Sequence, residues 1–310
     1  MTRNIYPKVS IIIPNYNHGV FLEQRIESIL NQTFQDYELI ILDDCSKDNS
    51  RDIIERYRDN KHISHIEYNT QNSGSPFIQW QKGISLSRGK YIWIAESDDY
   101  CDNNLLETLV NVLDRKEKCS FAYCLSKFVD PQNRLIWKSF PEGKDRYVKS
   151  QQYLSKYLAC DNPVYNVSSA LFRKDIAINI PNNYQSYKGS GDKLFWVYMA
   201  EYGDVYVVNK LLNSCRIHEQ KVTNRKNYDG TNFVEIKHIF DYMVAKGYIS
   251  SIRKYVVIGY NIYTIKKMEF ESNAIRRDLI NMWAKGKFEI LLYIVGRIYA
   301  FIKFHLNVFL

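Results

Sequence analysis

None of the six cysteines in this 310-residue chain pairs with another in sequence. Cys45, Cys101, Cys119, Cys124, Cys160 and Cys215 are scattered, with no CxxC and no histidine at zinc-ligand spacing. Neither a zinc site nor a disulfide framework is indicated. MTRNIYPKVS carries no apolar signal run ahead of the first strand pattern, so the catalytic part is expected to stay in a reducing cytoplasm. There is no internal repeat and no low-complexity stretch. No GxGxxG follows the first strand, which disfavours a dinucleotide-dependent dehydrogenase.

What is present bounds the rest. At 45% hydrophobic over 310 residues the chain can bury a full core, which excludes the disordered class. The 25 Tyr, 15 Phe and 5 Trp fill cores, and they also offer faces for bases and sugars. The net charge of +8 is uneven: 29 Lys/Arg stand against 27 Asp/Glu through residue 225, then 13 against 7. A basic tail suits an anionic surface, lipid or nucleic acid, although a solvated helical face looks the same.

Short apolar runs alternate with amphipathic stretches through the first half. Strands are predicted at Val9 to Ile13, Glu38 to Leu42, Ile63 to Tyr68, Tyr91 to Ala95 and Ser120 to Phe128. Helical spacing falls at Phe21 to Leu30, from about Ser50 with Asp48 or Ser50 as cap, at Phe77 to Leu86 and at Leu105 to Leu113. The alternation predicts a parallel sheet covered on both faces. Residues 130 to 190 read as a loop-rich region shaped around a ligand. A helix at Leu194 to Glu201 and a strand at Asp204 to Asn209 follow, and from Phe233 the pattern is helical, with a boundary near Asn224 to Gly230.

Ligands of α/β sheets bind beyond the carboxyl ends of the strands, and those positions are polar here: Pro14 to Asn17, Asp43 and Asp44, Asn72 to Gly74, and Glu96-Ser97-Asp98-Asp99. Adjacent carboxylates repel unless a cation or donors stabilise them, and Mg²⁺ or Mn²⁺ takes oxygen ligands together with diphosphate oxygens. A metal-diphosphate site is the functional reading; Asp99 and Asp102 capping the next helix is the plain one. Asp43-Asp44 alone reads as a turn into a capped helix.

The segments SIIIPNYN, SILNQTFQDYELIILDDCSKDNS, NSGSP, RGKYIWIAESDDY, GDKLFWVYMAEYGDVY and CRIH together resemble the inverting family 2 glycosyltransferases of the bacterial surface-polysaccharide type, over roughly residues 7 to 225. The resemblance implies an α/β GT-A fold, a Rossmann-like nucleotide-binding mixed sheet flanked by helices, over residues 1–225, with a C-terminal helical extension over 226–310. It places Tyr16 against the nucleotide base, with Pro14 and Asn15 beside it and Asp44 accepting from the base, commonly uracil. Asp98 lies near ribose and metal, Asp99 binds the ion directly, and Glu96 stands where many relatives carry Asp. The resemblance makes Asp192 the base for the acceptor hydroxyl, with Gly191 replacing the glutamate common there, although Asp192 also reads as a helix N-cap. Gly189 to Gly191 reads as flexible enough to admit an acceptor. His218 is implied as a third metal contact, with a surface loop histidine as the plain alternative. Lys82 is assigned to the nucleotide site as a diphosphate contact, and Trp80 to packing.

On a helical wheel from Phe288 to Leu310, Glu289, Gly296, Ala300, Lys303 and Asn307 share one narrow side with Tyr293 and Arg297 close by; nearly everything else except His305 is apolar. Arg297 would cost roughly 2.5 to 3.5 kcal/mol in mid-bilayer, so a helix lying in the interface, aided by Arg276, Arg277, Lys285 and Lys287, is expected rather than a span. Packing on protein is the alternative.

The expectation is a metal-dependent transferase using Mn²⁺ or Mg²⁺, a nucleotide-sugar donor, UDP-linked by the resemblance, and a glycan or lipid-linked acceptor. It works in the cytoplasm, peripheral at the inner face of the cell membrane, without nucleic acid, and a homodimer is left open. A nucleotidyltransferase or a non-catalytic nucleotide-sugar-binding module is the alternative, and Gly191 lends the latter some weight.

Overall fold

The structure, a computed structural model, describes residues 6–218, 226–284 and 288–306. Lys285, Lys287 and Asn307, the Asn224 end of the expected boundary and the side chain of His305 lie outside what is described. Two compact units divide the chain: residues up to 148, 164–186 and 198–218 form the first; 149–163, 187–197 and those from 219 onward form the second.

A ten-stranded sheet organises the first unit. Its strands are β1 Val9–Asn15, β2 Tyr37–Asp43, β3 Ile63–Tyr68, β4 Tyr91–Ile94, β5 Tyr100–Cys101, β6 Cys119–Val129, β7 Leu135–Lys138, β8 Arg146–Val148, β9 Ala170–Arg173 and β10 Asp204–Arg216. The order is β3-β2-β1-β4-β9-β6-β10-β5, with β7 against β6 and β8 against β10. Helices α1 Gly19–Leu30, α2 Ser50–Glu55, α3 Pro76–Leu86 and α4 Leu105–Arg115 belong to the same unit.

β1 (VSIIIPN) and β2 (YELIILD) are buried along their whole length, and a strand covered on both faces carries such an unbroken apolar run. Ile11 and Ile13 join Leu22, Ile26 and Ile29 of α1 in one core. Ile12 points the other way, against α3, where a Cβ on Gly83 would come within 2.4 Å of Ile12 Cγ2. Register brings the polar strand ends level: Asn15 pairs with Asp43, Asp43 with Tyr68, and Ile12 with Ile94 two residues before Glu96.

The sheet is mixed, as the GT-A resemblance implies, and not parallel throughout as the strand-helix alternation alone suggests. β3-β2-β1-β4 is parallel, but β9 enters antiparallel between β4 and β6 before β10 resumes parallel to β6. β9 is four residues long and comes from the stretch read as loops, where so short a run carries no legible period. At α2 the N-cap is Asn49, and Asp48 Oδ1 accepts from Ser50 N at 3.0 Å.

In the second unit α5 Gly191–Glu201 begins, and α6 Thr231–Ala245, α7 Ser251–Lys267, α8 Asn273–Ala284 and α9 Glu289–Leu306 follow. α9 lies tight on α7: a Cβ on Gly296 would sit 1.9 Å from the carbonyl oxygen of Gly259. Glu289 pairs with Lys266 at 2.6 Å, and Lys303 reaches Tyr260 Oη at 3.2 Å. The narrow side of the wheel thus packs on α7, while Ile290, Leu291, Ile294, Ile298 and Phe301 are exposed. Among the described residues no helix is long and apolar enough to cross a membrane.

Candidate active site

At the ends of β1 and β2 the side chains lock one another. Asn15 Nδ2 donates to Asp43 Oδ1 at 2.8 Å and to Ser46 Oγ at 3.2 Å. Ser46 closes on Asp43 in turn, with Oγ on Oδ1 at 2.5 Å and its amide on Oδ2 at 3.0 Å. Asn17, at φ 54°, donates its amide to Ser46 Oγ and accepts from Lys47 N. Asn tolerates that left-handed backbone. Between these anchored residues Tyr16 is 45% exposed.

Asp44, assigned to the base, is already occupied. It accepts from Asn69 Nδ2 (2.6 Å), Gln79 Nε2 (2.9 Å), Ser73 Oγ (2.7 Å) and the Ser73 amide. These bonds fill the roughly four acceptor sites of a carboxylate and fix the turn between β3 and α3. Lys82 is paired as well, with Glu67 at 2.5 Å and Asn69 Oδ1 at 2.8 Å.

Beyond β4 the acidic cluster divides into three roles. Glu96 accepts from the indole N–H of Trp80 at 2.9 Å, and burial, with Asp98 and Asp99 adding to it, pushes its carboxyl up to about 8. Trp80 therefore does more than pack. Asp99, expected to bind the ion directly, is fully buried and engaged. Asn166 Nδ2 and Ser168 Oγ donate to Oδ2 at 2.8 and 2.7 Å, Arg216 N donates to Oδ1 at 3.0 Å, and the Arg25 guanidinium lies 3.8 Å away.

Asp98 is the member that lies with two histidines in a group that could hold a metal ion. His218 Nε2 lies 3.0 Å from its Oδ2, and His18, Asp98 and His218 each offer a ligand atom within 4.8 Å of the others. The two rings meet edge to face at 5.4 Å, and His18 Nδ1 is 2.9 Å from Ser97 Oγ. Burial lowers the pKa of His18 despite the pull of Asp98, which favours the neutral imidazole that ligates metals. Arg216 holds this corner together: Nε donates to the Asp98 carbonyl, NH1 to Asn133 and NH2 to Gln24, with the guanidinium 4.5 Å over Phe21.

Asp192 belongs to the other unit and stands in the first turn of α5. The Gly189 to Gly191 stretch, read as flexible, is clamped. Glu235 of α6 accepts from the amides of Lys188, Gly189 and Ser190 at 2.6, 3.0 and 2.7 Å, and a Cβ on Gly189 would fall 1.8 Å from Asn232 Oδ1. Asn162 Nδ2 donates to Asp192 Oδ2 at 2.7 Å. Burial pushes the Asp192 carboxyl up to about 6 against the pull of its own amide, of Lys193 and of Asn162.

A nucleotide-binding mixed sheet with an acid-histidine cluster at its strand ends is the architecture of a GT-A glycosyltransferase. The model of glycosyl transferase family 2 matches residues 10–180, and the chain belongs to that family. It is 31% identical to the poly(ribitol-phosphate) beta-N-acetylglucosaminyltransferase TarP of Staphylococcus aureus, over 61% of this chain and 56% of that protein. Residues 1–349 of S. aureus TarS in complex with UDP-GlcNAc superpose with a TM-score of 0.70 at 17% identity, covering 94% of this chain and 91% of that one. The Pyrobaculum calidifontis mannosyltransferase PcManGT in complex with GDP-Man and Mn²⁺ gives 0.58 at 12% identity, covering 96% and 81%.

Sequence reasoning passed over His18, Arg25, Asn166 and Ser168. His18 had a signal, since it directly follows the PNYN segment at a strand end. Asn166 and Ser168 had none, lying in an aperiodic stretch.

Proposed function

We propose that this glycosyltransferase is inverting and metal-dependent, moving a sugar from a UDP-sugar to a glycan or lipid-linked acceptor of surface-polysaccharide synthesis at the inner face of the cell membrane. The observation that carries the reading is the His18–Asp98–His218 group at the strand ends of a family 2 fold. Its mixed donors, two imidazole nitrogens and a carboxylate, suit Mn²⁺ better than Mg²⁺. When bound, the ion stabilises the charge that grows on the departing nucleoside diphosphate. UDP as carrier is supported by the UDP-GlcNAc bound to the structurally similar TarS.

In this reading Tyr16 offers its exposed ring to the base, with Pro14 and Asn15 setting the backbone beneath it. Asp44 shapes the base pocket by fixing the Asn69 to Gln79 turn. Lys82, tied to Glu67, adds charge rather than a direct diphosphate contact. Asp99 positions the metal corner by gripping the amide of Arg216, two residues before His218. Asp192 takes the proton of the acceptor hydroxyl as its oxygen attacks the anomeric carbon from the side opposite the diphosphate. The new C–O bond forms as the bond to the diphosphate breaks, and the configuration inverts. A carboxylate titrating near neutrality is well matched to that duty.

Calorimetric titration of UDP into the chain, with Mn²⁺ and with EDTA, tests the donor site. Micromolar binding that needs Mn²⁺ and is lost in Asp98→Ala is expected. Equal binding in EDTA sinks the metal assignment, and no binding of UDP, GDP or dTDP sinks the donor site.

For the tail we propose that α9 lies in the lipid interface. Its exposed face of Ile290, Leu291, Ile294, Ile298 and Phe301, beside exposed Arg297, fits an anionic headgroup layer over acyl chains. Ile294→Asp with Ile298→Asp should abolish cosedimentation with anionic vesicles; unchanged binding rejects the idea.

A further inference from the structure

We infer that Asn162 is a positioning residue for the carboxylate of Asp192, and that Lys303 of α9 holds Asn162 in place through Asp161. The inference rests on the proposed role of Asp192 as base, and all four residues lie within the second unit.

The link at the base is the 2.7 Å hydrogen bond from Asn162 Nδ2 to Asp192 Oδ2. The amide can take only this orientation, because a flip would set its carbonyl oxygen against the carboxylate. Oδ1 of Asn162 is buried with no hydrogen-bond partner, so the amide is not braced from its far end. It is braced through the main chain: the Asn162 backbone N–H donates to Asp161 Oδ1 at 2.9 Å.

Asp161 is in turn fixed from α9. Lys303 Nζ meets its Oδ2 at 2.5 Å and donates to Tyr260 Oη at 3.2 Å, with the ammonium 4.9 Å over the Tyr260 ring. Burial is the largest single influence and works against both charges, but the partner's charge, the hydrogen bonds and the neighbouring groups together outweigh it, holding the Asp161 carboxyl below its ordinary range and the Lys303 ammonium above its own. The pair stays ionised throughout the neutral range. The other charged or titratable groups around it are Lys193, Cys160, Arg253 and Tyr299. Lys193 also acts on Asp161, although burial lowers the pKa of its own ammonium. Removing Lys303 therefore leaves a partly buried carboxylate without its main counter-charge, a strongly unfavourable state, and the turn at Asp161 and Asn162 yields.

The test follows the carboxyl carbon of Asp192 by ¹³C NMR through a pH titration of the full chain, in wild type, Asn162→Ala, Lys303→Met and Lys303→Arg. A hydrogen bond to the charged form lowers a carboxyl pKa, so losing it moves the midpoint up. An upward move in Asn162→Ala and in Lys303→Met, reversed in Lys303→Arg, is expected. A midpoint unmoved in Asn162→Ala overturns the positioning role, and one unmoved in Lys303→Met overturns the link to α9. If Lys303→Met does not fold, a Lys303→Arg titration that departs from wild type overturns that link. UDP release from UDP-GlcNAc with Mn²⁺ is the second readout. In Asn162→Ala kcat should fall about tenfold to a hundredfold with the donor KM unchanged, and an unchanged kcat is a second way to lose the positioning role. Asp192→Asn separates the two readings: full turnover there removes the base assignment, while the titration still decides whether Asn162 and Lys303 control that carboxyl.

Discussion

Asp99 and Asp192 are both sheltered carboxylates held in opposite ways. Asp99, at the edge of the sheet, is wrapped by Asn166, Ser168, the Arg216 amide and the Arg25 guanidinium. Asp192, at a helix start, is pushed up to about 6 by burial, against the pull of Lys193, its own amide and the Asn162 side chain. Where donors enclose it a carboxylate is a fixed anchor; where burial outweighs its donors the carboxyl is held well above the ordinary range. On the proposed roles, the same side chain serves architecture in one place and chemistry in the other.

The sharpest way to break the contrast is to disable each residue and ask what is lost. Asp192→Asn should cut kcat by about 10² to 10⁴-fold while UDP binding with Mn²⁺ stays within about twofold. Asp99→Asn should act on the fold instead. It turns one of the two acceptor oxygens into a donor, set either against Asn166 and Ser168 or against the Arg216 amide, and leaves Arg25, itself fully buried, without its counter-charge. A cost of about 3 kcal/mol or more is expected, read from urea midpoints. A well-folded Asp99→Asn chain would erase the distinction.

A smaller effect tests the support on the Asp192 side. Gly296→Val would drive a side chain into the carbonyl of Gly259 and spread α9 from α7, at about 1 to 3 kcal/mol, visible as a lower Tm.

The gentlest probe is pH. If Asp192 must be ionised to accept a proton, kcat/KM falls as the pH drops through about 6; a limb near 4, the ordinary carboxylate range, would contradict it. The sign for stability follows from the same shift. The folded state binds a proton more readily than the unfolded chain, so ionised Asp192 costs stability above about pH 6, and the cost fades as the pH falls from there toward 4. Asp192→Asn should therefore raise Tm at pH 7.5 and leave it nearly unchanged at pH 4.

The anchored half was largely legible beforehand. The apolar runs of β1 to β4 and the 3.6-residue spacing in α1 to α4 are local signals, and strand-end polarity put Asn15, Asp44 and Asp98 on one edge. What escaped is non-local or aperiodic. β9 is too short to show a period, and its antiparallel entry depends on neighbours distant in sequence. His18 carried a local signal, its place after PNYN, but its partner His218 is 200 positions away. The engagement of Asp44 and Lys82 with Asn69, Ser73, Gln79 and Glu67 reflects how the β3–α3 turn folds back. Asn162 and Lys303 are ordinary residues until the chain brings them together, and Gly189 is set by Asn232, 43 positions on.

The ion pair between Asp161 and Lys303 joins residues 142 positions apart, a separation that also sets a schedule. During synthesis the edge that carries Asp98 and Asp99 lies wholly within the first 218 residues, whereas the support of Asp192 waits for residue 303 to leave the ribosome. On the roles proposed above, the metal corner is complete in sequence before the residue that supports the base is made.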